Sequence, residues 1–261
     1  MHEREAAAHG LTCRYELLDL DRIDGGPSAL PSLIANAERD GFAGLNITHP
    51  CKEAVLQHLT TLSDDARQLG AVNTVVFARG ERIGYNTDWT AFRESFTRGL
   101  GDVPRTHVVQ LGAGGAGKAT AFAAMALGTT RLDIVDVDHD RAESLAQRIN
   151  RQFPGRAFAI RDAAPALKTA DGLIHATPTG MAAHPGLPIA ADGIHHRLWV
   201  CDVVYFPLET ELLRLARQRG CRTLDGSGMA VWQAVEAFRL FTGMTADPDR
   251  MRAFFDEANL T

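Results

Sequence analysis

Apolar and polar positions along the chain follow two alternating patterns. Short apolar runs rich in β-branched residues, such as "THVVQLG", "RLDIVDV" and "LWVCDVV", have the length of buried strands. Between them lie stretches whose apolar residues recur at helical spacing, and this alternation favours a parallel α/β architecture. The pattern predicts strands near residues 14–20, 42–48, 71–77, 106–112, 131–137, 156–160, 171–177, 198–204 and 221–225, and helices near 28–39, 51–58, 87–99, 116–127, 139–151, 208–218, 228–242 and 248–258.

A glycine- and proline-bearing segment, "TRGLGDVPRT" at residues 97–106, separates two periodic halves of the chain. Such composition is typical of a boundary between domains. We therefore predict an N-terminal α/β domain over residues 1–99, to which residues 234–261 return. Residues 100–233 are predicted to form a Rossmann-type domain with a doubly wound parallel sheet.

Composition narrows the class of protein. The 261 residues are 45% hydrophobic and 23% charged, which is typical of a globular chain with a sizeable core. A formal net charge of −5 argues against nucleic acid as a partner. No apolar run approaches the roughly 18 residues of a membrane span. The charged start "MHEREAAAHG" and four scattered cysteines without a C-x-x-C pair lead us to expect a reduced, cytoplasmic protein.

The segment "QLGAGGAGKAT" matches parts of two phosphate-binding motifs. Gly112, Gly114 and Gly117 satisfy G-x-G-x-x-G, the dinucleotide fingerprint. Gly112, Gly117 and Lys118 also satisfy most of the nucleoside-triphosphate motif, but that motif needs Ser or Thr directly after the lysine, where this chain has Ala119. A predicted strand before the loop and a predicted helix after it favour a dinucleotide, and a plain tight turn remains the alternative.

An acidic residue at the end of the next predicted strand bears on which dinucleotide binds. Asp136 follows Gly117 by about 20 residues, the spacing at which a carboxylate accepts hydrogen bonds from the ribose 2′-hydroxyl. The same carboxylate repels a 2′-phosphate, so Asp136 predicts NAD in preference to NADP. Arg141 could lie against the adenine or the ribose, or could be a solvated helix residue.

Polar residues also follow the predicted strands of the first half, in "GLNITHPCKEAV", "GAVNTV" and "GYNTDWTAF". Ligands of parallel α/β folds bind at such strand ends. A lysine and an aspartate that meet in a cleft are suited to proton transfer at an alcohol or carbonyl. Each residue also has an ordinary interpretation: Lys52 as a surface helix residue, Asn73 as a turn former, and Asp88 as a helix N-cap.

Taken together, these segments resemble the shikimate/quinate dehydrogenase family. "NITHPCK" is similar to its Asn-Val-Thr-x-Pro-x-Lys motif, "GAVNTV" to Gly-Ala-x-Asn-Thr, and "NTDWTAF" to Asn-Thr-Asp-x-x-Gly-Phe. "QLGAGGAG" resembles its glycine loop and "ATPTGM" its Thr-Pro-x-Gly-Met turn. "DVVYFPLETELL" and "GSGMAVWQA" resemble two further motifs, so the resemblance extends over nearly the whole chain.

The resemblance implies a role for individual residues in the reversible oxidation of a ring hydroxyl of quinate or shikimate to the 3-dehydro ketone. Lys52 and Asp88 would form the catalytic pair, and the residues alone leave open how the proton is shared between them. The implied substrate-binding residues are Thr48, Asn73, Tyr205 and Gln233. The implied cofactor-binding residues are Gly112, Gly114, Gly115, Gly117, Asp136, Arg141, Thr177, Val203, Gly228 and Met229, with Met181 lining the same cleft. No metal is implied, and the protein would act as a monomer or homodimer.

The chain departs from the family pattern at three places. Val137 stands where NADP-using members have an arginine that binds the 2′-phosphate, which again indicates NAD and the quinate/shikimate subgroup. His175 replaces the usual asparagine, and we interpret it as a packing residue rather than a second base. Members begin with a strand and a Ser-x-Ser/Thr-Pro-x-Met-His run, whereas this chain opens at "MH". The difference reflects either a translation start placed too late or a real loss of this segment. For the chain as given, we expect weakened substrate binding with cofactor binding largely intact.

Two alternative functions stay open at this point. One is a dehydrogenase of a related amino- or polyhydroxylated ring acid. The other is a ligand sensor that kept the fold and lost turnover, against which the retained Lys52, Asp88 and Gln233 argue.

Overall fold

The structure is a computed structural model that describes residues 1–259 and divides into two compact units. The strands are β1 Gly44–Asn46, β2 Thr61–Leu62, β3 Thr74–Ala78, β4 Glu81–Tyr85, β5 His107–Leu111, β6 Arg131–Val135, β7 Ala157–Ala159, β8 Gly172–His175, β9 Trp199–Asp202 and β10 Arg222–Leu224. The α-helices are α1 His2–Ala8, α2 Leu30–Arg39, α3 Asp64–Leu69, α4 Asp88–Leu100, α5 Gly115–Ala126, α6 His139–Asn150, α7 Ala163–Leu167, α8 Glu211–Gln218, α9 Ser227–Thr242 and α10 Pro248–Asn259.

The observed division falls earlier than the one predicted from the sequence. The first unit comprises Met1–Thr87 and Val231–Thr261, and the second comprises Asp88–Ala230. Helix α4, which was expected in the first domain, packs along α5 instead, and the Trp89 ring meets the Phe122 ring edge-on at 5.1 Å. The glycines and proline after α4 therefore form a loop inside the second unit. The return point differs by three residues and lies within α9.

The second unit contains a six-stranded sheet in which every strand pair is parallel. Its order, β7-β6-β5-β8-β9-β10, is the 3-2-1-4-5-6 order of a doubly wound dinucleotide-binding fold. Val109, Leu173 and Val200 are fully buried at its centre, as expected for strands covered on both faces. The predicted Rossmann-type sheet is confirmed.

The first unit contains a mixed sheet of order β1-β3-β4-β2. Strands β1 and β4 run antiparallel to β3, while β2 runs parallel to β4. A two-residue turn at Arg79 and Gly80, with φ of 56° and 77°, joins β3 to β4. Positive φ at both positions matches the twist of a hairpin, so the chain reverses here without a crossover helix.

Two predicted elements of the first unit are wrong. Residues 14–20 contain no strand: the sheet pairs β1 with β3 alone among the described residues, and Leu17 is 85% exposed. A strand without a backbone partner has no hydrogen-bond ladder to hold it. The predicted helix at 51–58 is a turn followed by the 3-10 helix Ala54–His58, because the Lys52 carbonyl accepts from Val72 N instead of from the next helical turn.

A buried carboxylate joins the two ends of the first unit. Glu5 on α1 is fully buried and accepts bonds from Arg250 Nε at 2.7 Å, Arg250 Nη2 at 2.6 Å and Asp247 N at 2.8 Å. Burial alone would raise the pKa of Glu5, but the bonds from Arg250, Asp247 and His9 outweigh it and lower the pKa. The ionised form of Glu5 is therefore the form that stabilises the fold.

We expect Glu5→Gln to lower the free energy of unfolding at pH 7 by about 2 kcal/mol, because charge-assisted bonds to a buried group are lost. A carboxyl group with a lowered folded-state pKa contributes stability above its unfolded pKa and loses it as the pH falls through the folded pKa. The gap between the two proteins should therefore narrow below about pH 4.5, as measured by urea denaturation at several pH values. The matched control is Glu257→Gln, which removes an exposed pair with Arg4 and should change stability by less than about 0.5 kcal/mol. A gap that stays constant with pH would contradict this account.

Candidate active site

The glycine loop of the second unit connects β5 to α5. Gly112 has a φ of +98°, and a Cβ there would lie 2.4 Å from the Ala176 carbonyl oxygen. A Cβ on Gly117 would lie 2.2 Å from the Gly112 carbonyl oxygen, so only glycine lets the helix start this close to the strand end. A Cβ on Gly114 would meet only Arg141 Nη2, at 3.5 Å. The open side of the loop therefore lies at Gly114, where an anion can approach the N–H groups of the helix start.

Asp136 is tied to this loop through its carboxylate. One oxygen accepts from Ala113 N at 2.7 Å and the other accepts from Asp138 N at 3.0 Å. Each carboxylate oxygen has two lone pairs, so both keep acceptor capacity for a ribose hydroxyl. Val137, the neighbouring residue, is fully exposed. The end of β6 thus presents a carboxylate followed by an uncharged side chain.

Apart from Gly115 on α5 and Arg141 on α6, the remaining predicted cofactor residues of this unit follow β8 and β9 or lie at the start of α9. The Val203 N–H donates to the His175 carbonyl at 3.0 Å. A Cβ on Gly226 would lie 2.5 Å from the Val203 carbonyl oxygen, so the start of α9 lies against residue 203. Gly228 packs on Ser95, since a Cβ there would lie 2.1 Å from its Oγ. Gly115 is the first residue of α5, Met229 is buried, and Met181 is 42% exposed. Tyr205, a predicted substrate residue of the same unit, is 54% exposed.

His175 belongs to a buried network of hydrogen bonds that its position in the sequence does not predict. Strands β8 and β9 place it opposite Asp202, and its Nδ1 lies 2.9 Å from Asp202 Oδ1. Its Nε2 lies 2.5 Å from Thr177 Oγ1, while Thr210 Oγ1 donates to Asp202 Oδ2 at 2.7 Å. Neutral His175 can donate to the carboxylate and accept from Thr177 at the same time. The interpretation as a plain packing residue is therefore incomplete, because His175 also orients Thr177.

Asn73, a predicted substrate residue of the first unit, is bonded to Thr87 and through it to the backbone of Gln233. Its Oδ1 accepts from Thr87 N at 2.8 Å, and its Nδ2 donates to Thr87 Oγ1 at 2.9 Å. Thr87 Oγ1 in turn donates to the Gln233 carbonyl at 3.3 Å. Asn73 is buried, and its amide fixes the residue immediately before Asp88. The structure thus gives Asn73 a supporting role in addition to the predicted ligand-binding role.

Backbone bonds connect the chain at Lys52, and next to Thr48, to residues 72 and 73. The Lys52 carbonyl accepts from Val72 N at 2.8 Å, and the Asn73 carbonyl accepts from Ile47 N at 2.7 Å, one residue before Thr48. Lys52 is half-buried and Thr48 is exposed. Asp88 begins α4 in the second unit and is buried. The Asn73 amide, Thr87 and the Gln233 carbonyl thus form one polar cluster, and the backbone at Ile47 and Lys52 is linked to it by bonds to the Asn73 carbonyl and Val72 N.

Three of the four cysteines are poorly suited to act as nucleophiles. All four are free, and Cys51, Cys201 and Cys221 are buried. Burial raises the pKa of each of these three thiols, so they stay protonated near neutrality. Cys51 directly precedes Lys52, and as a thiol it is a small core residue rather than a nucleophile.

Comparison with known proteins identifies the family of the chain. The family model described as the shikimate dehydrogenase substrate binding domain matches residues 1–75, and the one described as the shikimate 5′-dehydrogenase C-terminal domain matches residues 226–253. A shikimate dehydrogenase (NADP(+)) of Streptomyces avermitilis is 57% identical over 263 residues, covering 100% of this chain and 90% of the relative. The chain belongs to the shikimate/quinate dehydrogenase family.

Two further relatives carry the other cofactor in their names. A quinate/shikimate dehydrogenase (NAD(+)) of Corynebacterium efficiens is 47% identical and covers 98% of this chain and 91% of the relative. The solved structure of quinate dehydrogenase from Corynebacterium glutamicum in complex with NAD has a TM-score of 0.90 at 44% identity and covers 98% of this chain and 92% of that one. The family assignment, the fold and the class of NAD(P)-dependent oxidoreductase are thus established. Within the described residues, no helix has both the length and the apolar character needed to cross a membrane.

We expect Asp202→Ala to lower the free energy of unfolding by about 3–5 kcal/mol, because it leaves His175, Thr210 and Val204 N without their buried acceptor. Urea denaturation followed by circular dichroism measures the loss. Asp192→Ala removes an exposed carboxylate of the same unit and should change stability by no more than about 0.5 kcal/mol. Equal stability of the two variants would show that the buried hydrogen-bond network does not stabilise the fold.

Proposed function

We propose that this protein is an NAD-dependent dehydrogenase that reversibly oxidises a ring hydroxyl of quinate or shikimate to the 3-dehydro ketone. The choice of NAD rests on the Asp136 carboxylate at the end of β6. This carboxylate accepts hydrogen bonds from Ala113 N and Asp138 N, and the exposed Val137 lies beside it. The loop fits a dinucleotide, because the space in front of Gly114 is open apart from Arg141. When bound, the dinucleotide supplies the two-electron acceptor.

The substrate part of the proposal rests on the polar cluster of the first unit. Lys52 and Asp88 take and return the hydroxyl proton, and Thr48, Asn73, Tyr205 and Gln233 bind the ring hydroxyls. The bonds from Asn73 to Thr87 support this, since they hold the backbone just before Asp88. Lys52 is similarly held through its carbonyl bond to Val72 N. Rigid support of this kind keeps a proton-transferring group at a constant position.

Free cysteines and the family suit a reducing compartment, so we also propose a cytoplasmic location and action as a monomer or homodimer. The main competing hypothesis is NADP as cofactor, which the name of the Streptomyces relative favours. The carboxylate and the exposed valine of this chain weigh against it, because neither neutralises a 2′-phosphate. A sensor without turnover and a dehydrogenase of a related ring acid are two more candidate functions, and a turnover assay distinguishes them.

We expect absorbance at 340 nm to rise when the protein is mixed with quinate or shikimate and NAD. Lys52→Ala should lower kcat at least about 100-fold, because a positioned proton acceptor contributes a factor of that order. The Kd for NAD, measured by calorimetry, should stay within about twofold. Lys168→Ala removes an exposed lysine and serves as the matched control with full activity.

Each result of this assay favours a different candidate. Binding of quinate or shikimate without any absorbance change with either cofactor would favour the sensor. Turnover confined to an amino-substituted ring acid would favour the related dehydrogenase. Full activity of Lys52→Ala would overturn the assignment of Lys52.

We expect kcat/KM to be at least about tenfold higher with NAD than with NADP, because the carboxylate repels a 2′-phosphate. Asp136→Asn combined with Val137→Arg should reverse that order, since the pair removes a negative charge and adds a phosphate-binding guanidinium. The control is Asp138→Asn, which keeps an N-cap side chain on α6 and should leave the preference unchanged. A starting preference for NADP would refute the role given to Asp136.

A further inference from the structure

A buried amide lies beneath the glycine loop and has no role in the assignments above. Gln110 is on β5 between the buried residues Val109 and Leu111, and it is itself fully buried. A polar side chain in the middle of a covered parallel strand loses solvation free energy unless its hydrogen bonds are made. Gln110 makes them with the loop.

Three bonds connect Gln110 to the loop and to α5. Its Nε2 donates to the Gly112 carbonyl at 2.9 Å and to the Gly117 carbonyl at 2.8 Å. Its Oε1 accepts from Thr120 Oγ1 at 2.9 Å. Both amide hydrogens are thus used, one by the Gly112 carbonyl and the other by the Gly117 carbonyl. The side chain joins the first residue of the loop to the first turn of the helix.

The bond to Gly112 also acts on Asp136 through a single peptide plane. The carbonyl oxygen of the peptide between residues 112 and 113 accepts from Gln110, and its N–H, Ala113 N, donates to Asp136 Oδ2 at 2.7 Å. In a trans peptide the C=O and N–H groups point in opposite directions. The Gln110 bond therefore fixes one edge of the peptide plane, and the Asp136 bond fixes the opposite edge. The orientation of Asp136 is therefore coupled to the amide of Gln110.

We propose that Gln110 is a positioning residue for the dinucleotide: it orients the peptide between residues 112 and 113 and, through it, the Asp136 carboxylate. The inference rests on the proposed function of the loop. Removal of the amide weakens dinucleotide binding and also reduces the preference for NAD over NADP. The second effect distinguishes positioning from packing, because a residue that only fills space does not discriminate between a 2′-hydroxyl and a 2′-phosphate.

The test is calorimetric titration of NAD and NADP into the whole chain and into Gln110→Met, which keeps the volume and removes all three bonds. The Kd for NAD should rise about tenfold, the equivalent of one to two lost hydrogen bonds. The ratio of the Kd for NADP to that for NAD should fall by at least about threefold, and the KM for quinate or shikimate should be unchanged. Thr129→Val is the matched control, because Thr129 Oγ1 is buried in the same unit and has no partner within the described residues.

A double variant tests the coupling itself. In an Asp136→Ala background, Gln110→Met should change the Kd for NAD by clearly less than it does in the unmodified chain. If Gln110→Met does not fold, Gln110→Leu carries the same measurements, since it also removes all three bonds and introduces no charge near Asp136.

The failure of this inference is distinct from that of the proposed function. NAD binding by the unmodified chain, with an unchanged Kd and an unchanged NADP to NAD ratio in the Gln110 variants, would overturn the positioning role alone. Absence of binding of either dinucleotide to the unmodified chain would overturn both.

Discussion

The close approach of Gly117 to the Gly112 carbonyl is the constraint on which the cofactor half of the protein depends. No side chain fits there, since even a Cβ would lie 2.2 Å from the carbonyl oxygen. The contact places the start of α5 directly at the carboxyl end of β5, so that the N–H groups of the first helical turn are available to an anion where the strand ends. Gln110 beneath the loop and Asp136 beside it then act on a backbone that has little freedom to move.

The first unit obtains its rigidity from a different source. Its cluster is organised by hydrogen bonds, because the Asn73 amide and the Lys52 carbonyl bind Thr87 and Val72 across the strand ends. Elsewhere in the same unit, the Glu5 carboxylate joins α1 to the start of α10. Buried polar groups specify the positions of neighbouring elements because each group requires a hydrogen-bond partner.

The sequence predicted the second unit better than the first. Apolar runs such as "RLDIVDV" and glycines before a helix determine a parallel sheet with little ambiguity, because both faces of each strand are covered. The short strands of the first unit carry weaker patterns, so β2 and β4 were missed and a strand was placed at 14–20, where the described residues offer no partner strand. A strand depends on pairing with distant residues, and periodicity within one segment does not report that pairing.

Some residues of the candidate site were predictable from the sequence and others were not. Gly112, Gly117 and Asp136 were recognisable because their spacing along the chain reflects one βαβ unit. Gln110 was not, since one polar letter in an apolar strand gives no periodic signal. The His175 and Asp202 pair was also missed, because the two residues become neighbours only through the register of β8 against β9. Motifs local in sequence are predictable, and contacts created by sheet pairing need the structure.

The decisive experiment is a crystal structure of this chain with bound NAD. We expect the pyrophosphate against the N–H groups at the start of α5, in front of Gly114, with the adenosine ribose hydroxyls within hydrogen-bond distance of the Asp136 carboxylate. A dinucleotide bound elsewhere, or an adenosine ribose directed away from Asp136, would contradict this expectation.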